Sequence, residues 1–341
     1  MNALHITNHI GTTRNVENVF RFLNIPENIH SEHCEFPLYI HLNQADDIFK
    51  TYLSDNRLAK YNTLIFTDIP MYARPFLQNI EDHDKYIIVY ITNRFDWGAW
   101  YNGDLNYNAL YAAVSRHPRV RFISDNRYDQ YYAFLNEIQF YFNDIVRLTP
   151  KIIPISSTNR MVIHNCKLFI YNRGTFLRFY QHFLNPLDIE YDVFGYDGYQ
   201  RYKDESQIAE YIGFLHLPYQ TNIQSLWENL GHQIIYFIPS KSFLKQIVTE
   251  FWYYWEEKLG KPNELIFKSI DLAEWYQPEH EHLFVYFDSW QDLETKYQYY
   301  LENNHELLEK KKMIYEYMIN SNHTHLEKWK ILIDSCDFIS S

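Results

Sequence analysis

Short apolar runs alternate along this chain with longer stretches in which apolar residues recur every three or four positions, the pattern of strands threaded between amphipathic helices. In the first half, Leu4–Thr7, Thr63–Ile69, Tyr86–Thr92 and Val120–Ser124 read as strands, and Asn15–Leu23, Gln44–Leu53, Asn106–Val114 and Arg127–Phe142 as helices. In the second half the strand candidates are Lys167–Asn172, Ile189–Gly195, Phe214–Leu217, Gln233–Ile238 and Leu283–Asp288. Helices are expected near Thr175–Phe183, Glu205–Tyr211, Thr221–Leu230 and Lys241–Glu257. Between the halves, Pro150–Asn159 (PKIIPISSTN) has the prolines and polar residues of a linker. The alternation predicts an α/β protein with parallel sheets in two doubly wound domains, 1–150 and 160–322.

The most informative stretch is 215–240, LHLPYQTNIQSLWENLGHQIIYFIPS, which reads as strand, turn, helix, glycine break and second strand. Thr221-Asn222-Ile223-Gln224 has the form of a Thr-x-x-Gln capping box. Ile223, Leu226, Trp227 and Leu230 supply the buried stripe, and Glu228 lies off it. A helix N-terminus here offers unpaired N–H groups to a diphosphate. Glu228, further along, has the acceptors to hold two ribose hydroxyls.

On these residues the chain resembles glycosyltransferases of the GT-B fold. Those enzymes often carry two Glu residues with seven positions between them, then a small-residue break and a strand; Gln220 and Glu228 have that separation here, and Asn229-Leu230-Gly231 with the following strand resembles the break. Gln220 stands where the first Glu is common. The tail is similar as well: after LFVYFDSWQDL comes a long charged helix through Glu302–Met318 and then HTHLEKWKILIDS. The resemblance implies two Rossmann-like domains facing across a cleft. It also implies a helix near 323–341 returning to the first domain, with Trp329, Ile331 and Leu332 packed under its sheet, although a terminal helix on its own domain fits the pattern equally. The activity implied is sugar transfer from a UDP- or GDP-sugar to an acceptor hydroxyl of a glycan or glycoconjugate, without a metal or other cofactor.

Open parallel sheets bind ligands beyond the carboxyl ends of their strands, so the loops there hold the candidate site. After the first strand, Asn8-His9-Ile10-Gly11-Thr12-Thr13 combines a candidate general base, His9, for which local capping or hydrogen bonding is the alternative role, with Gly11 and Thr12 at a helix start. After another, Asn93-Arg94-Phe95-Asp96-Trp97-Gly98 offers Asp96 as an alternative base, with Arg94 beside it and Asn93 in the same acceptor-side loop. Asp68, before Ile69-Pro70, reads as a turn residue. In the second half, Arg173 in Tyr171-Asn172-Arg173-Gly174-Thr175 is the expected diphosphate ligand, its planar fork matching phosphate oxygens. Gly195 and Tyr196 would hold the nucleobase, and Tyr219, Gln220, Thr221, Asn222 and Glu228 complete the donor set.

Composition narrows the alternatives. The chain has 341 residues and a net charge of −12, which disfavours a nucleic-acid partner. Cys34, Cys166 and Cys336 have no metal or disulfide spacing, so a reducing cytoplasm fits best. No apolar stretch approaches a membrane span. Aromatic residues make up 18% of the chain but are spread along it, so no single Tyr is singled out. Asp82-His83-Asp84 precedes its strand and reads as a solvated turn; His280-Glu281-His282, His323 and His325 lack further ligands; the Glu309-Lys310-Lys311-Lys312 run reads as a solvated face. GxSxG, P-loop and GxGxxG motifs are absent from the sequence. A nucleotide-sugar epimerase of the same fold, or a non-catalytic binding protein, remains open.

Overall fold

The computed structural model describes residues 1–37, 39–96, 99, 104–153, 165–172, 177–195, 203–218, 221, 223–251 and 264–337. The chain forms two compact units, Met1–Pro150 with Asn322–Ser341, and Lys151–Ser321. Each is built on a five-stranded parallel sheet.

Unit 1 contains β1 (Ala3–Thr7), β2 (Ile29–His33), β3 (Thr63–Phe66), β4 (Tyr86–Ile91) and β5 (Val120–Ser124), in the order β2-β1-β3-β4-β5. Its helices are α1 (Ile10–Phe22), α2 (Leu42–Ser54), α3 (Arg74–Gln78), α4 (Leu105–Val114) and α5 (Arg127–Leu135). β3 and β4, TLIF and YIIVYI, are buried at every position, as a sheet covered on both faces requires. Alternate residues serve opposite faces. Leu64, Phe66, Ile87, Val89 and Ile91 pack with Phe49, Phe76 and Tyr111. Ile65, Ile88, Tyr90 and Ile123 pack with Val16, Val19 and Phe20 of α1, and with Trp329, Leu332 and Ile333.

Unit 2 contains β6 (Asn165–Asn172), β7 (Tyr191–Gly195), β8 (Tyr211–Leu215), β9 (Tyr236–Pro239) and β10 (Val285–Phe287), in the order β10-β9-β8-β6-β7. From the other edge this is the order of unit 1: the first strand inside, the second beside it, the third to fifth on its other side. The helices are α6 (Leu177–Leu184), α7 (Glu205–Ala209), α8 (Gln224–Gly231), α9 (Lys241–Phe251), α10 (Glu264–Leu272), α11 (Trp290–Glu302) and α12 (Asn304–Asp337). α12 gives Leu307, Ile314 and Met318 to the core of unit 2, and Trp329, Leu332, Ile333 and Cys336 to that of unit 1. Among the described residues no helix is long and apolar enough to cross a membrane.

Several expectations change in detail. β2, IHSEH, is an edge strand too polar to stand out, and no residue in it is fully buried. α5 stops at Leu135 instead of Phe142, and Glu137 then takes a positive φ of 63°. α8 begins at Gln224 with Ile223, and not Thr221, as its N-cap. Gly231 does not turn the chain. It is the last residue of α8, where a Cβ would lie 2.6 Å from the Lys151 carbonyl oxygen, and the left-handed residue is Gln233, with φ of 54°. Trp329 and Leu332 are fully buried, whereas Ile331 is 52% exposed on the outer side of its helix.

Only Glu309 and Lys312 of the charged run are exposed as a solvated face should be. Lys310 donates to the carbonyls of His282 and Phe284 at 2.7 and 2.8 Å, and Lys311, 2% exposed, donates to that of Ala209 at 3.0 Å. Burial lowers both ammonium groups to about 8. Asp82 ends a short 3₁₀ turn before β4, as a turn residue should. His280 is buried, with Nδ1 2.6 Å from the Glu274 carbonyl oxygen, and His325 lies against Arg147; both are packing residues.

Candidate functional site at the carboxyl edges of the two sheets

In a sheet of this order, the chain reverses its direction of winding between the first and third strands, and the loops there part to leave a crevice. In unit 1 that place lies between β1 and β3. β1 ends at Thr7, and the loop continues through Asn8 to His9, the N-cap of α1. A row of polar side chains braces it from below. His5 Nε2 is 2.9 Å from Thr67 Oγ1, His5 Nδ1 is 3.3 Å from Ser31 Oγ, and Thr7 Oγ1 is 2.9 Å from Thr12 Oγ1. Burial lowers the His5 imidazole to about 3, so it is a neutral tie between three strands. Asn8 donates to the Tyr72 hydroxyl at 2.6 Å, joining the first loop to the segment after β3.

His9 is exposed, and its Nδ1 accepts the N–H groups of Gly11 and Thr12 at 3.2 and 3.4 Å. A nitrogen that accepts carries no proton, so the neutral ring keeps its proton on Nε2 and has no second lone pair to take one. The geometry makes His9 a helix cap and a donor. Gly11 and Thr12 form the first turn of α1, Gly11 half-buried and Thr12 buried, with Thr12 Oγ1 donating to the His9 carbonyl at 2.8 Å.

Arg94 and Asp96 follow β4 and are each 6% exposed. Tyr132 of α5 donates to Asp96 Oδ2 at 2.9 Å, and the Arg94 N–H bonds to the side chain of Asn93 at 3.0 Å. Asp96 is therefore tied inward to its own unit. Trp97 and Gly98, which end this loop, lie outside the described residues.

Sequence reasoning passed over Asp68. It follows β3 and is half-buried, with a positive φ of 69°. Burial raises its carboxyl above the usual carboxylate range, an effect that His9, across the loop, offsets in part. The only local signal was an acid one step before Ile-Pro at a strand end, which is also how an ordinary turn looks.

In unit 2 the corresponding place lies between β6 and β8. The register pairs Asn172, the last residue of β6, with Gly195, the last of β7, so both loops leave the sheet at one level. Gly195 has φ of 135°, a conformation that side-chain-bearing residues rarely adopt. Arg173 and Tyr196 come next in the chain and lie outside the described residues, as do Tyr219, Gln220 and Asn222. Thr221 is buried, and Ile223, Leu226, Trp227 and Leu230 form the buried stripe of α8. Trp227 donates to a Glu274 carboxylate oxygen at 2.7 Å, and Asn229 to the Tyr236 hydroxyl at 2.5 Å. Glu228, between these two anchors, is half-buried. Among the described residues no group of three metal-ligating side chains comes together.

Two parallel α/β sheets with polar loops at their carboxyl edges define a Rossmann-like protein. No protein-family model matches the chain, and no curated protein matches its sequence. Among solved structures, the crystal structure of a glycosyltransferase from Rickettsia africae ESF-5 is similar, with a TM-score of 0.63 over 99% of this chain and 98% of that one. Identity is 7%, so the likeness is one of fold.

Proposed function

We propose that the chain is a glycosyltransferase of the GT-B type, moving a sugar from a UDP- or GDP-sugar to the hydroxyl of a glycan or glycoconjugate. The observation that carries the reading is the doubled architecture, two sheets of identical strand order with the last helix returning to the first unit, together with a fold likeness that spans nearly the whole chain. Unit 2 takes the donor. Glu228 holds the ribose, Gly195 and Tyr196 the base, and Gln220 the sugar. Arg173 and the amino end of α8 answer the charge that grows on the departing diphosphate, so the reaction needs no metal. Unit 1 presents the acceptor at the edge built by Asn8, His9, Gly11 and Thr12, with the Asn93–Asp96 loop beside it. A cytoplasmic site of action agrees with the absence of disulfide spacing among Cys34, Cys166 and Cys336 in the sequence.

Thermal stabilisation by a panel of nucleotides and nucleotide sugars tests this. A true donor at about 100 times its dissociation constant adds about 2.7 kcal/mol of stability. A panel in which UDP, GDP and their sugars all leave the melting temperature unchanged contradicts it, and conversion of the donor sugar with no acceptor present would instead mark an epimerase.

A further inference from the structure

The strongest chemical feature of unit 1 is a carboxylate in a strained place. Asp68 sits just past β3, beside the reversal point between β1 and β3. The Ile69 N–H donates to the Thr67 carbonyl at 2.9 Å, closing a three-residue turn around Asp68 with φ at 69°. Such turns are rare and strained for a residue with a side chain, costing on the order of 1–3 kcal/mol, and persist where the surroundings enforce them. The charge of Asp68 is felt by Cys34 after β2 and by Tyr72 in the 3₁₀ turn after β3, and Asp68 in turn feels His9 at the start of α1. Burial pushes the Cys34 thiol up to about 12 and raises the Tyr72 phenol, so both are neutral at physiological pH.

We infer that Asp68, and not His9, takes the proton from the acceptor hydroxyl, with His9 as a positioning residue beside it. The inference rests on the glycosyltransferase reading. Its motive is geometric: His9 has its basic nitrogen occupied by the amides of α1, while Asp68 is a half-buried carboxylate on the same rim. Desolvation raises its carboxyl above the ordinary carboxylate range, which makes it a stronger base than an exposed aspartate. In the step, the acceptor O–H bond breaks and its proton passes to a carboxylate oxygen of Asp68. The acceptor oxygen bonds to the anomeric carbon, and the bond from that carbon to the diphosphate breaks, its electron pair leaving with the nucleotide. Attack from the face opposite the leaving group inverts the anomeric centre. Asp68 then passes the proton to water.

The test compares the wild type with Asp68→Asn, Asp68→Gly and His9→Gln, using the nucleotide sugar that stabilises the wild type most and a panel of glycan acceptors. Asn tolerates positive φ and Gly is free to adopt it, so both should keep the turn, with thermal melting as the check. The expected result is a loss of turnover of about 100-fold or more in both Asp68 variants, the usual scale for general-base catalysis. Affinity for the nucleotide sugar should stay within twofold of wild type by calorimetry, and the acid limb of the pH–rate profile should disappear. His9→Gln should keep that limb and lose less turnover. Folded Asp68 variants turning over within threefold of wild type, or an unchanged acid limb, would overturn the assignment and leave the glycosyltransferase reading standing. A wild type that binds no nucleotide sugar, or binds one without turning it over, overturns both.

Discussion

Units 1 and 2 share one strand order yet are closed and equipped differently. The sheet of unit 1 has its second face covered partly by residues from the far end of the chain, Trp329, Leu332, Ile333 and Cys336, whereas the core of unit 2, among the described residues, draws on its own stretch of sequence. Their carboxyl edges differ too. That of unit 1 holds two carboxylates, Asp68 half-buried and Asp96 buried; that of unit 2 has, at the end of β7, a glycine with φ of 135°. Topology therefore sets where chemistry can happen, and the loops set what kind it is.

The largest expected effect breaks the comparison at the tail. Trp329 is fully buried, lies 5.9 Å from the Tyr90 ring and donates to the Arg147 carbonyl at 2.9 Å. Trp329→Ala should cost about 4 kcal/mol, the scale of large-to-small core changes. Followed by denaturant titration with probes in each unit, the loss should fall on unit 1; an equal loss in both units, or none, would show that the tail does not close the first sheet in the way described.

A second effect is internal to unit 1. Arg74, fully buried, pairs with Asp104 at 2.7 Å and donates to the Ile40 carbonyl at 2.6 Å, while Tyr39 donates to Asp104 at 3.0 Å. Desolvation works to raise the Asp104 carboxyl, but the bonds from Arg74 and Tyr39 outweigh it and hold the group below its ordinary value. A depressed carboxyl contributes stability above its unfolded value and loses it as pH falls through the folded one. Asp104→Ala should cost about 3 kcal/mol at neutral pH by leaving the guanidinium without its counter-charge. The gap from wild type should narrow in acid, and a gap independent of pH would remove the ion pair from the account.

Unit 2 gives a slope of the same sign from the opposite cause, burial of a charge that is disfavoured there. Burial lowers Lys311 to about 8, whereas an unfolded lysine keeps its proton to about 10.5, so the unfolded chain holds more protons in between and stability rises with pH across that window. Measured as the difference between wild type and Lys311→Met, so that Cys34 and the tyrosines cancel, the wild type should gain about 2 kcal/mol from pH 8 to pH 10. A flat difference would mean that Lys311 is solvated.

Much of this fold was legible because its strands announce themselves locally. TLIF and YIIVYI can be little other than strands buried on both faces, and the stripe Ile223, Leu226, Trp227, Leu230 fixed the inward face of α8. What was hidden depends on partners distant in sequence. β2 is too polar to be recognised without β1 beside it, Lys310 is half-buried and Lys311 buried because carbonyls of unit 2 come to meet them, and Gly231 is required by the passing backbone of Lys151. The candidate site divides the same way. His9 was visible in the sequence both as a base and as a local cap, and its geometry decides for the cap, whereas the strained turn that marks Asp68 exists only in three dimensions.

The smallest effect in energy bears most directly on the central claim, that unit 2 is the donor side. Calorimetric titration of the wild type and Glu228→Gln with UDP and GDP should give binding of one nucleotide to the wild type, weakened about tenfold in the variant by loss of a charge-assisted hydrogen bond, about 1.4 kcal/mol, with an unchanged melting temperature for the free protein. Equal affinity of the two proteins for the preferred nucleotide, or no binding of either nucleotide to the wild type, would contradict it.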